Sequence, residues 1–210
     1  FEKGFDLLGL KLRETSEPFE GACTAVHPLL IESAVKFQSK ATQELFPSKG
    51  PVKTQILGNP TIEKDRQANR VMNFMNYQLT DQMPEYFSEL ERMLFNLPVF
   101  GSAFKKTYWD MSFERPMSEF VPIDQFYVSN FASDLQNAER YTHVVYRSPN
   151  DLKRDIEAGM YCIDHYDDEE LPKATPVEPT PIKSKMDMIL GITPNYDEEP
   201  QYTILEQHCY

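Results

Sequence analysis

The chain has 210 residues, 40% hydrophobic and 12% aromatic, a globular composition long enough to bury a sizeable core without disulfide or metal staples. Its formal charge of −12 opposes a protein that grips duplex nucleic acid, because such affinity comes from Lys and Arg displacing counterions from phosphates. No apolar run approaches the ~20 residues that cross a bilayer, and no basic-then-apolar leader opens the sequence, so neither a membrane span nor secretion is expected.

The charge is uneven. Residues 164–200 hold ten acidic side chains against Lys173, Lys183 and Lys185, a net of −7, so the remaining residues share only −5. Cys23, Cys162 and Cys209 are odd in number and far apart, with no CxxC or Cys/His ligand spacing, which argues against a zinc site or a disulfide framework. Reduced thiols in a protein assembled in the cytosol fit best.

In chain order, Phe5, Leu7, Leu8 and Leu10 open with a weak signal for a short strand or helix. Pro28 suits a first helical turn, and Pro47 with Gly50 ends the run that follows. Leu30, Ala34, Phe37, Ala41 and Leu45 recur at helical spacing, and Ile31, Val35 and Phe46 widen the apolar arc to about half the circumference. A helix with so broad an arc needs two packing partners. Either both layers come from its own domain, or one belongs to a neighbouring subunit.

Residues 52–57 alternate and predict a strand closed by Gly58-Asn59-Pro60. A second helix is expected over 62–80, with Val71, Met72, Met75 and Leu79 inward and Tyr77 pointing elsewhere. Pro84 opens a third, with Tyr86, Phe87, Leu90, Met93, Leu94 and Leu97 in one stripe and Phe95 opposite. Aromatic residues are favoured at protein interfaces. Tyr77 and Phe95 therefore join Ile31, Val35 and Phe46 as candidate subunit-interface residues.

The helical pattern breaks at 98–101. Strands are predicted over 104–111, over 120–129 in one or two pieces, and most clearly over 140–148. Ser148, Pro149 and Asp151 then give a capped helix start, Leu152 and Ile156 its inner face, and Gly159 its stop. Six prolines and the acidic excess predict an extended excursion over 164–200, where only 186–192 could dock. Alternation returns over 201–210 as a strand that rejoins the sheet. Helices first and an antiparallel sheet afterwards make the fold class α+β.

Chemistry is hard to place. Eight glycines and no phosphate-cradling loop exclude the usual nucleotide sites. His165 lies among Asp164, Asp167, Asp168, Glu169 and Glu170, but without cation-binding spacing the expectation is a solvated acidic turn. His143 on its strand reads as a half-buried structural residue. No nucleophile, acid/base pair, cofactor or metal site is selected, and no enzyme is expected.

Long strings are more specific. GACTAVHPLLIESAVKFQSKATQELFPSKGPVKTQILG (21–58), NYQLTDQMPEYFSELERMLFNLPVFGSAFKKTYWD (76–110), FVPIDQFYVSNFASDLQNAERYTH (120–143) and SPNDLKRDIEAGMY (148–161) together resemble the wing region of tailed-bacteriophage portal proteins, the head-to-tail connectors, nearest to those of short-tailed phages. The resemblance implies N-terminal helices packed on a small, mostly antiparallel sheet. It also implies a structural, non-enzymatic subunit of a homo-oligomeric ring, typically a dodecamer, at one capsid vertex of the virion, assembled in the host cytoplasm. Such rings conduct double-stranded DNA without sequence-specific binding and dock the terminase, the capsid and the neck or tail adaptor proteins. The wing would comprise 1–163 and 201–210, with 164–200 as the excursion. Phe1 in place of Met and the strand-like last residues predict a piece of a longer chain, with stem, clip and crown following. The rival reading is an acidic adaptor or scaffold module without DNA passage.

Overall fold

Pro28 marks where the first long helix starts in the computed structural model, which describes residues 2–8, 19, 27–162, 174, 184 and 200–209. The elements in chain order are α1 (Glu2–Leu8), α2 (Leu29–Leu45), α3 (Ile62–Tyr77), a π turn (Gln78–Gln82), α4 (Glu85–Phe100), β1 (Phe104–Asp110), β2 (Arg115–Val121), a 3-10 turn (Ile123–Gln125), β3 (Phe126–Val128), β4 (Arg140–Arg147), α5 (Pro149–Glu157) and β5 (Tyr202–Cys209). Among the described residues four helices precede the first strand, α5 lies between β4 and β5, and the fold is α+β. No helix among the described residues is long and apolar enough to cross a membrane. The chain divides into two units, residues 31–120 and residues 1–30 with 121–210, a boundary that composition does not mark inside the 1–163 region. The excursion expected over 164–200 lies outside the described residues apart from 174, 184 and 200.

Within residues 31–120, α2 and α4 run in opposite directions. Phe46, just past the end of α2, packs on Tyr86 and Phe87 at the start of α4, with ring centroids 6.3 and 5.2 Å away. Earlier in α2, Gln38 donates to the Glu91 carbonyl further along α4. Ala34 is fully buried, so the covered stripe of α2 holds Ile31, Ala34, Gln38 and Ala41, whereas Phe37 and Leu45, expected inward, are exposed. The apolar period located the helix but set its inner face too near the bulky residues. A small side chain at the closest approach fixes the rotation instead.

Residues 52–57 do not form the predicted strand. They run extended beside α3, and the Asn76 side chain supplies what a neighbouring strand would. Its Oδ1 accepts from the Val52 N–H at 2.9 Å and its Nδ2 donates to the Val52 carbonyl at 3.3 Å. Thr54 Oγ1 donates to the Ala68 carbonyl one turn-pair earlier. The covered face of α3 is therefore Ala68, Met72 and Asn76, continued by Leu79 in the π turn, while Val71 and Met75, expected inside, are exposed. The second helix also stops at Tyr77, three residues early, in a π turn whose Met83 N–H reaches the Gln78 carbonyl at 3.0 Å.

Pro98 does not end α4. It sits in the last turn, and the helix closes at Gly101, which adopts φ 78° and donates to the Leu97 carbonyl, a left-handed stop that glycine takes without a Cβ clash. Strands β1 and β2 form a two-stranded sheet, of which the sequence pattern located β1 but began the second strand only at Phe120. Arg115 binds Glu85 at 2.7 Å and the Gln82 carbonyl at 2.8 Å, and the Phe120 N–H donates to Glu89 at 2.8 Å. Lys105 lies over the Tyr86 ring at 3.6 Å. Burial pulls its ammonium below the usual lysine pKa, against the pull of the Glu89 carboxylate. Leu90, Leu94, Met83 and Phe120 are the buried apolar residues beneath these contacts.

In the other unit, β3, β4 and β5 make an antiparallel sheet in that order. The predicted return of the last segment to the sheet is correct, with Arg140 opposite Cys209 and Arg147 opposite Tyr202. Ser148 caps α5 as predicted, its Oγ accepting from the Asp151 N–H at 3.2 Å, and Leu152 is buried.

Gly50 has φ 98°, and a Cβ there would meet the Asn76 side chain at 2.5 Å. Asn76→Ala should lower stability by about 1–3 kcal/mol through its two lost hydrogen bonds. Gly50→Ala should cost about 1–3 kcal/mol in backbone strain, plus the clash. In urea unfolding the double variant should lose less than the two single losses combined, because Asn76→Ala removes the clash. Strict additivity would contradict this packing.

Candidate functional site

Exposed apolar side chains distinguish residues 31–120, beside an open concavity of about 570 Å³ lined by Glu63, Arg66, Gln67, Asn69 and Arg70. Among the five candidate interface residues, Val35 and Tyr77 are 44% and 51% exposed, on α2 and at the end of α3. Ile31 and Phe95 are half-buried. Phe46 is also half-buried, its ring in contact with Tyr86 and Phe87 of its own chain. The structure does not gather the five into one patch.

A clearer patch lies on α3. At 100° per residue, Val71, Phe74 and Met75 share a face about a quarter-turn from the covered one, and all three are exposed, Phe74 by 56%. Arg66 and Arg70 flank this stripe, and residues 66–80 contain no acid. A soluble helix normally turns polar residues outward. Here one apolar stripe is covered and a second is not.

The turn between β1 and β2 is the other concentration. Trp109, Met111 and Phe113 are 58%, 57% and 61% exposed. Asp110 holds the turn from below: its carboxylate is buried and accepts the N–H groups of Ser112 at 2.7 Å and Phe113 at 3.0 Å. Glu114 completes the reversal in the left-handed region at φ 49°. The large side chains thus stand on a fixed loop. Sequence reading missed this tip because it took 104–111 as strand and left 112–119 unassigned. The signals were there in the lone tryptophan and in Asp110 followed by Ser112.

The remaining cluster is ionisable. His143 and Glu206 are cross-strand partners on β4 and β5, with Nδ1 3.6 Å from the carboxylate, and Tyr161 donates to the other Glu206 oxygen at 3.0 Å. Arg147 pairs with Asp155 of α5 at 3.2 Å. His143 is only 6% exposed, more buried than the sequence suggested, and Asp155 is 4% exposed. The groups pair with one another, which ties β4, β5 and the segment after α5 together. Among the described residues no group of three or more His, Cys, Asp or Glu could hold a metal ion. The acidic residues around His165 lie outside the described residues.

No family model matches the chain, and no curated protein matches its sequence.

Burial, and next the Glu206 carboxylate, push the Tyr161 phenol up to about 12, with Arg147 pulling the other way. Between pH 10 and 12 the folded state therefore holds a proton that the unfolded chain has lost, and stability falls as pH rises through that window. Tyr161→Phe should flatten this alkaline decline. Absorbance titration of the native protein at 295 nm should also lose a tyrosine that titrates well above its ordinary range. An unchanged alkaline decline would remove Tyr161 from the network.

Proposed function

We propose that this chain forms the wing of a bacteriophage portal subunit, a structural part of a ring through which double-stranded DNA passes. The observation that carries this reading is the unpartnered apolar surface of residues 31–120. The Val71–Phe74–Met75 stripe on α3 and the Trp109–Phe113 tip are two exposed concentrations, and Val35 on α2 is a further exposed apolar residue. Scattered exposed apolar residues are ordinary, but stripes and rigid aromatic tips mark association surfaces. A subunit packed between two neighbours needs such surface on more than one side. The resemblance of the ordered strings over 21–161 supports the portal as the assembly.

Two further features agree. The ionisable cluster is turned inward, as suits a structural rather than a catalytic subunit. The acidic charge suits passage rather than retention of DNA, since each fixed Lys or Arg contact to phosphate would have to be broken at every step of sliding. Terminase, capsid and tail adaptor proteins are the partners that such a ring meets, with no cofactor required.

Native mass spectrometry and negative-stain electron microscopy of the intact protein should show closed rings with a central hole. The double variant Val35→Asp, Tyr77→Asp should lower the ring population at least tenfold while leaving the circular dichroism spectrum unchanged. A monomer under all concentrations and salts would overturn the portal reading.

A further inference from the structure

Residues 31–120 expose two apolar features of opposite shape. One is convex: Trp109 at the end of β1 stands beside Met111 and Phe113 of the turn that follows, which the buried Asp110 carboxylate holds. The other is a strip along a helix: Val71, Phe74 and Met75 on α3. Their charges are also opposite. Arg66 and Arg70 border the strip, sharing an open concavity with Glu63 that leaves a net positive charge, and no ion pair engages either arginine among the described residues. At the tip, Asp110 faces inward and Arg115 is taken by Glu85, which leaves Glu114 as the exposed charge.

We propose that the tip of one copy docks on the α3 strip of a second copy of this chain, with Glu114 facing Arg66 and Arg70. The inference rests on the portal reading and names the contact by which neighbouring subunits engage. Because the two surfaces differ, the contact is head-to-tail, the kind that generates rings when the rotation closes. Preorganisation favours it, since a turn already fixed by Asp110 loses little freedom on binding. Three such side chains bury on the order of 400 Å², half of the ~800 Å² that each partner contributes to a standard interface. The contact is thus one element of a larger surface, and ring closure strengthens it.

The head-to-tail geometry gives a sharp test in the intact protein. A tip variant (Trp109→Ser, Phe113→Ser) and a strip variant (Phe74→Asp) change only exposed side chains, so circular dichroism should match the wild type. Each alone should lose at least tenfold of its rings. Mixed together, they should form one-to-one dimers and no rings in native mass spectrometry, because each mixed pair retains a single intact contact. Benzoylphenylalanine in place of Met111 should photo-cross-link to residues 66–77 of another copy. Rings that persist in both variants while the wild type also forms rings would overturn this contact and leave the portal reading standing. Loss of rings in both, with neither mixed dimers nor the cross-link, would overturn the docking likewise. A wild type without rings would overturn both.

Discussion

Extended backbone must have its N–H and C=O groups satisfied, and in residues 31–120 helices do much of this work through side chains. Asn76 on α3 pairs with both polar groups of Val52, as a neighbouring strand would. Glu89 on α4 accepts the Phe120 N–H at the end of β2. Arg115 reverses the arrangement, reaching from β2 to the Gln82 carbonyl that the π turn leaves open. These contacts fix where the extended pieces lie against the helices. They also decide the rotation of α3, and hence which of its apolar stripes is covered.

The surface follows from that rotation. With Asn76 turned toward Val52, the covered face of α3 centres on Ala68 and Met72, and the stripe of Val71, Phe74 and Met75 is carried outward. Asp110 acts in the same way at the hairpin, where a buried carboxylate occupied with two backbone N–H groups leaves the neighbouring aromatic side chains on the outside. Internal polar satisfaction and external stickiness are two sides of one arrangement. The other unit has a different economy: its polar residues face one another, Glu206 joining Tyr161 while Arg147 meets Asp155.

Features with a local cause were legible in the sequence. Ser148 and Pro149 announce α5 through capping chemistry that acts within four residues, and the alternation of β4 and β5 reflects a sheet with two unlike faces. Features with a distant cause were not. Residues 52–57 alternate like a strand, yet their partner is an amide 24 residues away on a helix. Pro98 looked like a helix breaker, although in the final turn of α4 it is tolerated. Of the site, Val35 and Tyr77 stand out in the sequence as candidate interface residues and are exposed, while Phe74 and the 109–113 tip do not, because helical periodicity cannot tell which of two apolar stripes finds a cover. Phe46 shows the converse, since its half-buried ring meets aromatic neighbours from α4.

The two units also differ in how the chain supplies them. Residues 31–120 form one continuous stretch, whereas the sheet of the other unit is completed only by β5 at Tyr202–Cys209. At the roughly 5–20 residues per second of protein synthesis, the first is fully translated about 5–20 s before the last strand. During that interval β4 has β3 on one side and an open edge on the other, while the apolar stripe of residues 31–120 is already displayed. The order of synthesis therefore makes the nascent polypeptide most vulnerable to premature self-association just before its sheet is complete, when a chaperone would have most to shield.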